Sequence, residues 1–276
     1  MAEPNKCKEG GVSPMNGALR ESKVPELTVA FWIIKIAATT FGETGGDALS
    51  MTFNLGYATS SLIFIALFAV AAIAQVRANR FHPFLYWAVI VATTTAGTTM
   101  ADFADRSLGI GYLGGSLILV ALLALVLALW RFTLGTVSVQ HIRSPGAESF
   151  YWATILFSNT LGTALGDYLA DPKGGGLGYE GGALVFAGTL LIVALAYGFT
   201  RTSRTLLFWA AFILTRPLGA TLGDMLTKPH ANGGLELSRI SSSLIIAVII
   251  IAAIAFLPQR PGSHGTGEGG GRSGAG

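Results

Sequence analysis

FWIIKIAATTFGETGGDALS, residues 31–50, contains a pattern that occurs three more times in the chain. Trp32 is followed by a glycine after ten residues and by Asp47 after fifteen. The same W-x9-G-x4-D spacing starts at three other tryptophans, Trp87, Trp152 and Trp209. The chain has only six aspartates, and four of them lie at this one distance from a tryptophan, which indicates an internal repeat.

Each repeat contains two apolar stretches of different character. The second stretch is free of charge and long enough for the about 20 residues that a membrane-spanning helix needs. These runs are 57–76, 113–130, 182–199 and 240–257. The first stretch carries the tryptophan and the aspartate with Thr, Ser, Gly and some ionisable residues, at 27–47, 84–102, 149–167 and 206–224. Every repeat is therefore predicted to be a polar helix A, a glycine-rich loop and an apolar helix B.

The composition agrees with a membrane protein. Hydrophobic residues make up 51% of the 276 residues, charged residues 12%, and the mean hydropathy is +0.58, whereas soluble domains carry about 25% charged residues. The single Cys7 excludes an internal disulfide and a cysteine metal cluster. We expect an all-α, polytopic membrane protein with eight transmembrane helices from four two-helix repeats, at about 26–80, 81–145, 146–203 and 204–257. Residues 1–25 and 258–276 are expected to be disordered tails outside this 26–257 domain.

The charges predict an orientation. Two helices per repeat bring every repeat into the bilayer from the same side, so both termini lie on one side. The tails and the B-to-A connections hold 12 Lys and Arg, and the A-to-B loops hold four. Because basic loops stay inside, we expect both termini to be cytoplasmic, in a bacterial inner membrane. The tryptophans would then anchor helix A at the cytoplasmic interface, and Asp105 and Asp171 would lie in outer loops.

Acidic residues mark the candidate site. The repeat aspartates are expected near the outer ends of their helices, where a charge is expensive and usually faces a protein interior or a water-filled cavity. If the four helices meet there, their carboxylates converge with that of Glu43. The predicted cation ligands are Glu43, Asp47, Asp102, Asp167 and Asp224.

Deeper polar residues complete the predicted site. Seven residues after each tryptophan lie Thr39, Thr94, Asn159 and Arg216. These residues would line the path of a substrate or couple its movement, together with Lys35, the other basic residue inside a span. Lys35 comes eight residues before Glu43, on the same side of its helix, so we expect it to compete with a bound cation for that carboxylate.

The motifs carry a resemblance over about residues 26–257. Lys35 with GETGGD (42–47), TAGTTMAD (95–102), NTLGTALGD (159–167) and TRPLGATLGD (215–224) resemble a family of bacterial integral membrane proteins known as uncharacterised membrane-anchored proteins. That family looks like four repeats of a helix pair bearing G-x4-D. The segment from Glu43 to Asp47 has a weaker similarity to the E-x-G-D signature of calcium and manganese exchangers, from which it differs by one extra glycine. This second similarity implies a proton-driven exporter of a divalent cation such as manganese.

Three functions follow from these observations. The leading one is a secondary transporter of a small cation, because carboxylate, Thr and Asn oxygens suit Mn²⁺, Mg²⁺ or Ca²⁺. The alternatives are a transporter of an organic or anionic solute, with Lys35 and Arg216 as counter-charges, and a structural or regulatory membrane protein. We expect no enzyme, because the sequence has no nucleophile elbow, zinc motif or Walker motif. No cofactor is expected apart from a transported cation. The expected partners are the bilayer and a small ion or solute, and no nucleic acid. The sequence leaves open whether the protein forms a homo-oligomer.

Overall fold

The computed structural model describes residues 23–137, 142, 144–172 and 174–262. This part of the chain is all-α, and its only β contact is an isolated bridge between Pro25 and Pro261. It contains eight α-helices, α1 Val29–Asp47, α2 Gly56–Arg77, α3 Pro83–Asp102, α4 Tyr112–Leu134, α5 Pro145–Ala170, α6 Gly178–Phe199, α7 Arg204–Thr227 and α8 Arg239–Phe256. The predicted tails, 1–25 and 258–276, lie mostly outside the described residues. The odd-numbered helices are the predicted A helices and the even-numbered ones the B helices.

Local signals explain where the helices begin. Four of them start after a capping hydroxyl, as at Thr28, which accepts a hydrogen bond from Phe31 N at 3.3 Å. The glycine-rich connections turn the chain from helix A into helix B. Gly56, Gly111 and Gly178 lie at the start of a B helix with φ of 74°, 76° and 67°, a backbone conformation that only glycine adopts without strain.

The four A helices form a closed ring. Helix α1 contacts α3, α3 contacts α5, α5 contacts α7, and α7 contacts α1. The B helices lie outside this ring, and each packs on the A helix of the next repeat: α2 on α3, α4 on α5, α6 on α7 and α8 on α1. No repeat therefore buries its own A helix, and the fold is complete only when all four are present.

The repeat glycines set the close spacing of the ring. A Cβ atom added at Gly42 would lie 2.5 Å from Thr94 Cγ2. The same addition at Gly97 would meet Asn159 Cβ at 3.1 Å. Gly162 faces Arg216 and Gly219 faces Thr39 in the same way. Each glycine therefore contacts position 7 of the adjacent helix, counting the tryptophan as position 0, as small residues do at close helix crossings in membranes.

Burial separates the two kinds of helix. In the apolar windows of the B helices only 17–22% of residues are buried, compared with 67% in α3 and α7. Six helices of the described chain are long and apolar enough to cross a bilayer: the four B helices, α7, and α3 with its following turn. Helices α1 and α5 are outside this group because they are less apolar along their length. The fold is that of a membrane protein with apolar helices around a polar centre.

One end of the ring, which we call the Trp end, is closed by aromatic side chains. Each repeat contributes a dipeptide to this aromatic layer: Phe31–Trp32, Tyr86–Trp87, Tyr151–Trp152 and Phe208–Trp209. The prediction of interfacial tryptophans is wrong for three of the four, which are 1%, 4% and 6% exposed. They point inward because neighbouring repeats stack their rings on one another. The Tyr86 and Tyr151 hydroxyl oxygens are 2.7 Å apart inside the layer.

Candidate functional site

Four positions of each A helix, 3, 7, 11 and 15 residues after its tryptophan, lie along the inside of the ring. A spacing of four residues keeps side chains on nearly the same face of a helix. All sixteen side chains are buried. Starting from the Trp end, they form four layers: Lys35, Ile90, Ile155 and Phe212; Thr39, Thr94, Asn159 and Arg216; Glu43, Thr98, Thr163 and Ala220; and Asp47, Asp102, Asp167 and Asp224. We name these the Lys35, Arg216, Glu43 and aspartate layers, and the end with the aspartates the Asp end.

The five predicted acids come together. Carboxylate oxygens of Glu43, Asp47 and Asp102 lie within 4.8 Å of one another, and so do those of Glu43, Asp167 and Asp224. Glu43 belongs to both triads because it lies one turn below the aspartate layer. Each of the five residues is at most 4% exposed. Either triad offers the hard oxygen ligands that a divalent cation such as Mn²⁺, Mg²⁺ or Ca²⁺ prefers.

Basic side chains bridge the aspartates in pairs. Arg106 lies 3.0 Å from Asp102 Oδ1 through its Nε and 3.3 Å from Asp167 Oδ2 through its Nη2. Lys228 Nζ lies 2.6 Å from Asp47 Oδ2 and 3.1 Å from Asp224 Oδ1. Each base follows an aspartate of its own repeat by four residues and reaches the aspartate of the next repeat. Repeats 2 and 4 thus supply the bases, and the ring of four acids has two-fold rather than four-fold symmetry in its pairing.

The role of these bases was not predicted from the sequence, in which Arg106 and Lys228 counted only as charges of the outer loops. An acid and a base four residues apart on a helix are nevertheless expected to meet. Burial alone would lower the pKa of the Lys228 ammonium, but Asp224 and Asp47 outweigh burial and raise this pKa above its usual value. Lys228 is therefore a firmly charged ammonium. Arg239, which is more exposed, approaches Asp47 Oδ2 at 3.6 Å.

The Glu43 layer joins all four helices at one guanidinium nitrogen. Arg216 Nη2 donates to Glu43 Oε2 at 3.0 Å and to Thr163 Oγ1 at 2.6 Å, and it also contacts Thr98 Oγ1. Thr98 Oγ1 donates to Glu43 Oε2 at 3.2 Å. The two threonines were not predicted as site residues. Their position, 11 residues after the tryptophan, is the one that Glu43 holds in the first repeat, and this equivalence could have identified them.

Lys35 does not pair with Glu43, which corrects the expected competition between them. The partner of Glu43 is Arg216, whose layer lies between those of Lys35 and Glu43. Lys35 Nζ instead lies over the Phe212 ring, 4.1 Å from its centroid. This nitrogen has no hydrogen-bond partner among the described residues, although Lys35 is fully buried.

The three polar neighbours of Arg216 in its layer differ from one another. Thr39 Oγ1 donates to the backbone oxygens of Ile36 at 2.8 Å and Thr215 at 3.2 Å, so this hydroxyl helps to join α1 and α7. Thr94 Oγ1 and both amide atoms of Asn159 have no partner in the described part of the chain. Of these three predicted residues, Thr94 and Asn159 are the ones with free polar atoms.

Asp105 is not in a loop, contrary to the prediction. Helix α3 continues into a π-helical turn, Phe103–Ser107, which buries Asp105 against Gly115 of α4. This carboxylate lies outside the ring, next to a cavity of 130 Å³ between α3, α4 and α5. Asp171 caps the end of α5. Neither acid belongs to the two triads.

The geometry defines the class of protein: a four-repeat, all-α membrane protein with a buried column of charged side chains. The chain belongs to the family described as Repeat of Unknown Function (DUF347), whose pattern matches residues 30–81, 85–136, 150–203 and 207–258. The internal repeat is thereby confirmed. No curated protein and no solved structure matches the chain, and none of the comparisons relates it to the cation exchangers.

Proposed function

We propose that the protein is a secondary transporter of a small cation, with a divalent metal such as manganese as the leading substrate. The observation that carries this proposal is the convergence of five buried carboxylates, whose oxygens approach within 4.8 Å in two triads. Intramembrane acids of this kind are expensive and are found along ion and proton pathways. Internal repeats that surround a central site are also typical of secondary transporters.

The chain's own bases explain how such a site stays stable without its substrate. Removing one partner of a buried ion pair costs about 3–5 kcal/mol, so an empty acid cluster would be unstable. Arg106, Lys228 and Arg216 occupy the acids instead. An entering divalent cation would displace both tethered cations, Lys228 and Arg106, and the net charge of the cluster would then stay the same. The acid cluster of such a transporter would bind a metal ion in one state and the protein's own basic side chains in the other.

Proton coupling fits the same chemistry. A carboxylate that releases a metal can take up a proton, which keeps the cluster nearly neutral. Glu43 is the acid shared by both triads and lies deepest, so it is the natural point at which a cation from the aspartate layer would be exchanged for a proton. The aromatic layer would close the pathway on the Trp side while the aspartate layer opens.

The proposed topology has eight spans and cytoplasmic termini in the bacterial inner membrane. Helices α1 and α5 are less apolar than the other six helices, yet each lies beside A helices that are apolar enough to cross a bilayer. Twelve Lys and Arg on the side of the termini against four on the other support the orientation. A tag inserted at Gly174 should be accessible from outside spheroplasts and a C-terminal tag only after lysis. Accessibility of both tags from one side would exclude this topology.

Transport can be tested in proteoliposomes that contain a fluorescent Mn²⁺ indicator. The wild-type protein should carry Mn²⁺ across the membrane, faster with a pH gradient than without one. Asp224→Asn should reduce the rate at least about tenfold, since it removes a charged ligand worth more than ~1.4 kcal/mol. Asp105→Asn is the matched control, because it makes the same change in a buried acid outside the triads, and it should keep most of the rate. No flux of Mn²⁺, Mg²⁺ or Ca²⁺ above empty liposomes would refute the proposal.

A further inference from the structure

Four residues of the Lys35 and Arg216 layers have polar groups without hydrogen-bond partners. Within the described chain, Lys35 Nζ, both free nitrogens of Arg216 (Nε and Nη1), Thr94 Oγ1 and the amide of Asn159 make no hydrogen bond. All four residues are fully buried. Buried polar groups are almost always hydrogen-bonded, so each exception needs an explanation.

Two of the four residues, Lys35 and Arg216, have basic side chains, and these two lie close enough to interact electrostatically. The two layers contain no acid, and the nearest carboxylate, Glu43, engages only Nη2 of the guanidinium. The unused donors of Lys35 and Arg216 therefore have no carboxylate as a partner. The Arg216 guanidinium would repel a metal ion here, whereas an anion would be attracted to it and could accept hydrogen bonds from the unused donors.

We propose that these layers form a binding site for a small inorganic anion such as chloride or nitrate. Lys35 Nζ, Arg216 Nε and Asn159 Nδ2 are the donors that would contact it, and Thr94 Oγ1 can add a fourth hydrogen bond. The tight packing limits its size: Gly162 faces the stem of Arg216, and the Phe212 ring lies 4.1 Å from Lys35 Nζ. The site would select by charge and by small radius.

Arg216 would link this anion site to the acid cluster. One guanidinium nitrogen binds Glu43, and the other two nitrogens have no hydrogen-bond partner among the described residues. A cation on Glu43 would weaken the ion pair with Arg216 and leave more of the guanidinium charge for the anion. Binding of the two ions would then be mutually favourable, because such coupling is reciprocal. This site goes beyond the proposed cation transport and does not depend on it.

The test is titration calorimetry of the purified protein in nanodiscs, in sodium gluconate, with sodium chloride and sodium nitrate added separately. The wild-type protein should bind at least one of these anions saturably. Lys35→Met and Asn159→Leu should each weaken this binding roughly tenfold or more, as expected for loss of a hydrogen bond to an ion. Arg131→Met, which removes an exposed base from the end of α4, should bind as the wild type does. No saturable binding by the wild type, or equal affinity in Lys35→Met, would overturn the proposal.

A second measurement separates this site from the acid cluster and from misfolding. In the wild type alone, the anion that binds should also raise the melting temperature, and gluconate should not. Asp224→Asn should keep the anion affinity within about threefold even where it abolishes Mn²⁺ transport, because it lies two layers away and about 12 Å along α7 from Arg216. Loss of anion binding in Asp224→Asn would assign the signal to the acid cluster and refute the anion site.

Discussion

The aspartate layer and the three layers below it are built by different rules. All four repeats place the same residue in the aspartate layer, and the bases that pair with it follow two of these aspartates by four residues. Below it, equivalent positions differ: Lys35 corresponds to Phe212, and Glu43 to Ala220. The repeated layer presents four equivalent carboxylates. The varied layers break the symmetry and give the column one defined arrangement of charge, on which the selectivity of the proposed transport would depend.

Arg216→Met should have the largest effect, because it removes the charge on which the varied layers depend. It leaves Glu43 buried without its partner, which is expected to lower the free energy of unfolding by about 3–5 kcal/mol. The double variant Glu43→Gln/Arg216→Met should recover part of this loss. Thermal unfolding in nanodiscs measures both. If the double variant is no more stable than Arg216→Met, the ion pair between Glu43 and Arg216 does not account for the lost free energy of unfolding.

Lys228→Met should cost less, about 2–3 kcal/mol, because Arg239 also approaches Asp47 and remains after the change. This loss should depend on pH. The folded-state pKa of Lys228 is raised, so its contribution is fully present below the unfolded pKa of about 10.4 and is lost as the pH rises through the higher folded value. The difference in melting temperature from the wild type should thus be constant from pH 6 to 9, taken as roughly the range below that pKa, and narrow in stronger base.

Arg106→Met provides the comparison for this pH dependence. Arg106 bridges the other two aspartates in the same way, but a guanidinium stays protonated in basic solution. The stability difference for Arg106→Met should therefore not narrow at high pH. Parallel behaviour of the two variants would show that the two halves of the aspartate layer are not held by the pairings described here.

Gly219→Ala should have the smallest effect of these four substitutions, a loss of about 1–2 kcal/mol from overpacking against Thr39. It widens the ring at the Arg216 layer without changing a charge. The matched control is Gly188→Ala on the outer helix α6, where an added Cβ meets nothing within 4 Å. Alanine forms helices better than glycine, so this control should be neutral or slightly stabilising. Equal destabilisation by both changes would mean that the glycines matter for helix formation and not for close packing.

Much of the architecture could be predicted from spacing alone. The aspartates converge because four identical spacings on four equivalent helices place their side chains at one level, and Gly42 or Gly219 at a fixed position signals a close crossing. The partners of these residues could not be predicted. Whether Glu43 meets Lys35 or Arg216 depends on which helices are neighbours and on their relative height. The sequence of a single repeat contains neither piece of information. The inward tryptophans have the same cause, because stacking between repeats outweighs the interfacial preference of a single indole.

Because each B helix packs on the following repeat, the four repeats have equivalent neighbours around the ring. Helix α8 completes α1 as α2 completes α3, and the segments before α1 and after α8 already pair, with Glu26 N donating to Arg260 O at 2.9 Å. The junction between the last and the first repeat is therefore equivalent in position to the B-to-A connections inside the chain. A circular permutant that joins these ends and opens the chain between α4 and α5 would have the same ring of neighbours as the original protein.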